Sequence, residues 1–212
     1  MIPARHHRVV AVLRLVVAVV GVVALVGRFF YGLGFSTFAT GNYFGYLTMQ
    51  SNIAGVALMV TGAVSAWRRP VDATWFSTAR LLVTSYLGVA GIVFALLATQ
   101  AGNVDYRLEV PWSDQLLHFW IPGYAVLDWL FAPGRRRVSW RMSALVLGYP
   151  VVWGMATMLR GSIVGWYPYF FLDPGQLDNL GEFAGYAIAA LALFSGVAAA
   201  LIGLSRLIPT RV

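Results

Sequence analysis

A hydroxyl and an imidazole stand in apolar surroundings where a lipid-facing sequence rarely places them. Thr48 lies in Tyr46-Leu47-Thr48-Met49-Gln50-Ser51-Asn52, and His118 ends the run Asp114-Gln115-Leu116-Leu117-His118. An imidazole that takes the hydroxyl proton converts a weak oxygen nucleophile into one able to attack an ester carbonyl. The pair therefore points to acyl chemistry, provided the chain brings the two side chains together. Asp114 precedes His118 by one helical turn on the same face, so its carboxylate could accept the Nδ1 proton and leave Nε2 basic. Two plainer roles compete with this reading. Asp114 could complement the N-terminal dipole of a helix capped by Ser113, and the Thr48 hydroxyl could bond back to the Phe44 carbonyl.

The elements that must position these groups follow from composition. Of 212 residues, 59% are hydrophobic and 11% charged, too little polar surface to cover a soluble globule. Crossing about 30 Å of hydrocarbon takes roughly 20 helical residues. Six apolar stretches reach that length, near residues 9–30, 42–66, 76–100, 112–132, 141–163 and 180–207. The short alternating segments of a β-barrel are absent, which leaves helices as the spanning solution. The expected fold class is an all-α integral membrane protein, a six-transmembrane-helix bundle forming a single domain over residues 1–212. The basic N-terminus and its apolar run resemble a signal peptide, but the run continues without a small-x-small cleavage site, so it reads as an uncleaved first helix.

The arginines assign the faces. Arg5, Arg8, Arg14, Arg68, Arg69, Arg80, Arg135, Arg136, Arg137, Arg141, Arg206 and Arg211 fall on one side of such a bundle, and only Arg28, Arg107 and Arg160 on the other. The positive-inside rule then places both termini in the cytoplasm and the chain in the cell membrane. The opposite loops collect Asp105, Glu109, Asp173 and Asp178. The net charge of +7 accordingly faces anionic headgroups and no nucleic-acid partner is expected. There is no cysteine, and no motif with metal-ligand spacing, so neither a thiol nucleophile, a metal nor another cofactor is expected.

Thr48 and His118 each lie about six residues into a helix that enters from the outer face, roughly 9 Å below the interface. Ser51 and Asn52 share a helical face with Thr48, and Gly45 and Gly55 extend it, so this side is expected to point inward. Asn52 is the first candidate for stabilising an oxyanion, with Gln50 and Ser51 behind it. Arg28 and Arg160, near outer helix ends, could hold the carboxylate of an acidic lipid, or instead snorkel or pair with Asp105, Glu109 or Asp173. Asp128 is expected to pair with Arg68 or Arg80. Pro122 has no donor for the His118 carbonyl, which predicts a disturbed helix there. The aromatic loop from Gly165 to Pro174 belongs in the outer interface, either covering a cavity or forming an ordinary aromatic belt.

The six-helix plan, Tyr46-Leu47-Thr48 in the second helix and Leu117-His118 in the fourth resemble the androgen-induced protein and androgen-dependent TFPI-regulating protein family. Gln50-Ser51-Asn52, the stretch from Pro122 to Trp129 and the loop from Trp166 to Asp173 resemble its bacterial six-span branch. The resemblance implies a membrane hydrolase of fatty acid esters of hydroxy fatty acids, with Thr48 as nucleophile and His118 as base. Its partners would be a fatty acyl ester and the bilayer itself. The polar Gln50-Ser51-Asn52 after the threonine departs from the eukaryotic pattern. From the residues alone, a non-catalytic lipid-binding protein, a small transporter built from inverted three-helix halves, and an assembly protein stay open.

Overall fold

The computed structural model describes residues 5–103 and 110–209. The described residues are helices joined by short loops, with no strand among them. The long elements are α1 (Arg5–Leu33), α2 (Leu47–Arg68), α3 (Thr74–Asn103), α4 (112–131), α5 (Trp140–Val164) and α6 (Leu180–Leu207). Five of them, all but α4, contain helix long and apolar enough to cross a membrane. The segment α4 is helical throughout, but a π turn at Leu116–Trp120 separates the α-helical turn Trp112–Gln115 from Ile121–Phe131. One-turn helices at Thr40–Tyr43 and Phe170–Leu172 interrupt two of the loops.

Consecutive helices alternate in direction, so the start of α1 meets the end of α2 and the start of α3 meets the end of α4. Small residues let them approach. In α1 the buried positions His7, Ala11, Arg14, Ala18 and Gly21 recur at steps of four and three, the spacing of a single packing seam. That seam lies along α2, where Gly55, Gly62, Ala63 and Ala66 are buried in turn. In lipid, close van der Waals contact between small residues takes the place of hydrophobic burial as the force between helices. The remaining faces of α1 present Val9, Val12, Val16, Val19 and Val23 outward, as a bilayer would require. On the far side, Leu81 and Trp129 pack with Leu201 and Ile202, joining α3, α4 and α6. The helix α5 joins the bundle through its 3-10 start, Trp140–Leu147, which rests on α6 and α3.

Local sequence explains the helix ends. Asn179 accepts from the Glu182 N–H (3.0 Å) while the Glu182 carboxylate accepts from the Asp178 N–H (2.9 Å), a reciprocal cap that starts α6. Gly165, at φ +66°, terminates α5 in the left-handed conformation that glycine adopts without strain.

Two sequence expectations change. The second helix begins at Leu47 and not near residue 42, because Thr40–Tyr43 forms its own turn before the chain re-enters at extended Tyr46. Thr48 is thus in the first helical turn, shallower than expected. The arginines of one end do not all face headgroups: Arg14, Arg80 and Arg135 are buried. Arg14 donates to both carboxylate oxygens of Asp128 (2.8 and 3.1 Å) and to the Gly62 carbonyl (2.8 Å). Arg80 bridges Asp128 (2.9 Å) and Asp72 (2.7 Å). Phe76 lies beneath both guanidinium groups, with ring centroids 6.0 and 5.9 Å away. The expected pairing of Asp128 with Arg80 is present, Arg68 takes no part, and Arg14 is the partner that sequence reading missed. Asp105, Arg107, Glu109 and Arg211 lie outside the described residues.

Candidate functional site

Thr48 and His118 face a common cavity at the end of the bundle opposite the Asp128 network. Two pockets, the lobes of the site, lie side by side there, and Thr48, Phe94, His118 and Tyr169 form the wall that both share. One lobe, about 110 Å³, is apolar, lined among others by Val93, Leu97, Leu193 and Phe194. The other, about 180 Å³, is more polar and holds Arg28, Asp114, Tyr43 and Tyr46. Thr48 and His118 are each 7% exposed, so both line the site from a buried position.

The π turn in α4 sets the histidine. Because the Ile121 N–H bonds to the Leu116 carbonyl, five residues back, the Leu117 carbonyl is released from its usual helical partner. Asn52 uses it, donating from Nδ2 to Leu117 (3.2 Å) as well as to the Thr48 carbonyl (2.9 Å). The expected disturbance ahead of Pro122 therefore takes the form of a π turn. The His118 carbonyl, which Pro122 cannot reach with a donor, lies against Gly91 of α3, where any Cβ would collide with that oxygen. Phe94, one turn further along α3, stacks on the imidazole at 3.9 Å between ring centroids and 18° between planes. His118 is thus held from one face by an aromatic ring and along its edge by a hydrogen bond.

That hydrogen bond joins Nδ1 to the backbone carbonyl of Asp114 (3.0 Å), not to its carboxylate. A carbonyl only accepts, so Nδ1 carries the proton and Nε2 presents its lone pair. The tautomer expected from sequence is obtained by a different atom of the same residue. The Asp114 carboxylate instead pairs with Arg28 Nε (2.8 Å), a contact between α4 and α1 that the sequence reading had not drawn.

The other sequence candidates divide. Arg28 lines the polar lobe, as a carboxylate-holding residue should, although Asp114 already neutralises it. Arg160 lines neither lobe; it donates to Asn42 Oδ1 (2.6 Å) and lies over Trp166. Gln50, Ser51 and Asn52 also line neither lobe. Gln50 donates to the Phe44 carbonyl (2.6 Å) and accepts from the Tyr149 hydroxyl, while Ser51 donates to the Thr48 carbonyl (3.0 Å). With both amide hydrogens of Asn52 on carbonyls, and the Ser51 hydroxyl and one Gln50 amide hydrogen likewise engaged, these three brace the start of α2. The Phe44 carbonyl, the expected alternative partner of Thr48, is occupied by Gln50.

The aromatic loop contributes the residue that sequence reading did not single out. Tyr169 lines both lobes, with its hydroxyl against the Thr48 side chain and the backbone N–H groups of Leu47 and Thr48. Burial pushes the Tyr169 phenol above its ordinary range, while its contacts with Thr48 and Leu47 act in the opposite direction. The ring is fixed by parallel stacking on Phe171, 5.2 Å away and 3° off parallel, and by edge contacts with Tyr46 and Trp153. No regular spacing distinguishes Tyr169 from the neighbouring aromatics, so only the folded loop identifies it. Through Tyr169 and Phe171 this loop contributes to the lining of the site.

Because Thr48 belongs to the first turn of α2, its N–H and that of Leu47 are among the donors a helix leaves unpaired. The site therefore assembles a hydroxyl, an imidazole oriented through its Nδ1 hydrogen and N–H and O–H donors beside an apolar chamber. Comparison of the chain with protein-family models, with curated proteins and with solved structures gives no match.

Proposed function

We propose that the chain is a six-span intramembrane lipid-ester hydrolase with both termini in the cytoplasm, in which Thr48 is the nucleophile and His118 the general base. The observation that carries the reading is the shared wall: Thr48 and His118 border both lobes, and the Nδ1 contact to Asp114 leaves Nε2 available. His118 Nε2 takes the Thr48 hydroxyl proton as Oγ1 bonds to the ester carbonyl carbon. The resulting oxyanion is received by the Leu47 and Thr48 N–H groups and the Tyr169 hydroxyl. Collapse breaks the bond to the alkoxy oxygen, which leaves as the alcohol with the proton from His118. Water, deprotonated by His118, then attacks acyl-Thr48, releasing the fatty acid and restoring the threonine.

The lobes are small beside typical ligand cavities of about 300–1,000 Å³. They suit the atoms next to the ester, with the acyl chain leaving the apolar lobe towards the bilayer. The resemblance to the androgen-induced protein family adds a substrate class, fatty acid esters of hydroxy fatty acids, whose free carboxylate would compete with Asp114 for Arg28. A second reading, non-catalytic lipid binding, is favoured by the apolar lining and by the stacking of Phe94 on His118.

Labelling of the purified protein with a lipophilic fluorophosphonate separates the two. Hydrolysis requires an adduct mapped to Thr48, absent in Thr48→Ala, kept in Thr48→Ser, and formed about a thousandfold more slowly in His118→Ala. A folded wild type that takes no label, or labels equally in every variant, would leave lipid binding as the function.

A further inference from the structure

At the basic end of the bundle, far from Thr48, the loop between α4 and α5 folds over the start of α3. A pocket of about 580 Å³ lies between them, lined among others by Thr74, Ser77 and Thr78 of α3 and by Arg135, Arg136 and Arg137 of the loop. The loop is held firmly. Gly134, at φ +74°, sits where a Cβ would run into the Pro70 carbonyl, and its own carbonyl accepts from the Asp72 N–H (2.8 Å). Arg136 Nε donates to the Asp72 carbonyl (2.7 Å). Arg135 reaches the end of α6, donating to the carbonyls of Ser205 (2.7 Å) and Ile208 (3.0 Å).

This fixed frame leaves donors over. Ser77, 1% exposed, has no partner for its hydroxyl, and Arg135, 4% exposed, has none for Nε. Two orphaned buried polar groups at one pocket are unusual, because each lost hydrogen bond carries its full desolvation cost. The Nη groups of Arg136 and the whole guanidinium of Arg137 also have no protein partner among the described residues. Among the described residues no carboxylate lines the pocket, since Asp72 turns its side chain to Arg80. Burial, and then the neighbouring charges of Arg80 and Arg137, hold Arg135 below the usual arginine range, as expected of a cation with no anion of its own. The N-terminus of the long helix α3 adds its positive dipole end from below.

The geometry points to a phosphate-binding pocket, formed by Arg135, Arg136 and Arg137 with Ser77 and the start of α3, which takes the phosphate of a lipid headgroup or of a soluble anion. Planar guanidinium groups match phosphate oxygens in pairs, and a rigid loop loses little freedom on binding. The site is independent of the chemistry at Thr48.

The test is thermal unfolding of the full chain, delipidated in neutral detergent, because a ligand that binds only the folded state raises the midpoint. The probes are sodium phosphate against sodium chloride at equal ionic strength, and phosphatidylglycerol against diacylglycerol. Stabilisation by inorganic phosphate identifies a soluble anion as sufficient; stabilisation by phosphatidylglycerol alone identifies a headgroup. In either case Arg136→Gln/Arg137→Gln should raise the half-saturating concentration about tenfold, the loss of a charge-assisted bond, and Ser77→Ala a few-fold. The control Arg68→Gln/Arg69→Gln removes the same charge from exposed positions on the same end and should leave binding unchanged. Three results would overturn the site: no stabilisation by either probe, equal stabilisation by diacylglycerol, or equal weakening in the control.

Discussion

Two buried polar centres occupy opposite ends of the helices α1 to α4, and they differ in what is left unpaired. At the basic end, Asp128 receives Arg14 and Arg80 on its carboxylate, its backbone carbonyl accepts Arg80 as well, and Asp72 takes the remaining reach of Arg80. All four side chains are buried. At the other end His118 uses one ring nitrogen, Thr48 stands with it in the wall, and two lobes provide room beside them. An ionisable group in a membrane helix is therefore a poor sign of chemistry until its partners are known. The closed centre ties helices together, whereas the open one has donors, a base and space.

Breaking the closed centre should have the largest effect. Asp128→Asn leaves two buried guanidinium groups without a counter-charge, and a loss of about 3–5 kcal/mol is expected in thermal or denaturant unfolding. The folded remainder should still label at Thr48. The open centre should respond the other way. Tyr169→Phe removes the hydroxyl proposed as an oxyanion donor, so the proposed ester hydrolysis should fall about a hundredfold with the unfolding midpoint nearly unmoved. Gly91→Ala couples the two measurements: its methyl collides with the His118 carbonyl, and an overpacking cost of about 1–3 kcal/mol should accompany about a tenfold slower labelling. The smallest change is expected from Asp114→Asn. The backbone carbonyl that fixes the tautomer survives, and the lost pair with partly exposed Arg28 is worth about 0–1 kcal/mol, so labelling should change less than about threefold. A large loss in Asp114→Asn would instead return the carboxylate to the role first drawn from its spacing.

The sequence makes the helical plan legible because the apolar stretches are long and the breaks between them carry Gly, Pro and charge. It also brings Thr48 and His118 together, since an imidazole is rare in such stretches and the two lie at similar depth below one face. What it misreads depends on atoms that spacing does not specify. Asp114 was placed on the correct face, but only folding decides that its carbonyl, and not its carboxylate, meets His118. Gln50, Ser51 and Asn52 carry the right chemical groups, yet the helix start at Leu47 and the released Leu117 carbonyl turn them to bracing. Arg14 was legible in principle: an arginine well inside an apolar run asks for a buried carboxylate, and Asp128 was the available one. Tyr169 was not, because its position depends on how a loop distant in sequence closes over the start of α2.

The π turn at Leu116–Trp120 has a consequence for the whole of α4. Relative to an α-helix, it accommodates one additional residue, and each residue advances the helix by about 100°. Forcing the same residues into a regular α-helical ladder would rotate everything after the turn by that angle with respect to everything before it. With His118 kept against Phe94, Asp128 would swing off Arg14 and Arg80; with Asp128 kept in place, the imidazole would leave the cavity. The turn thus acts as a phase adjustment between the two ends: by absorbing one residue it lets one helix serve both.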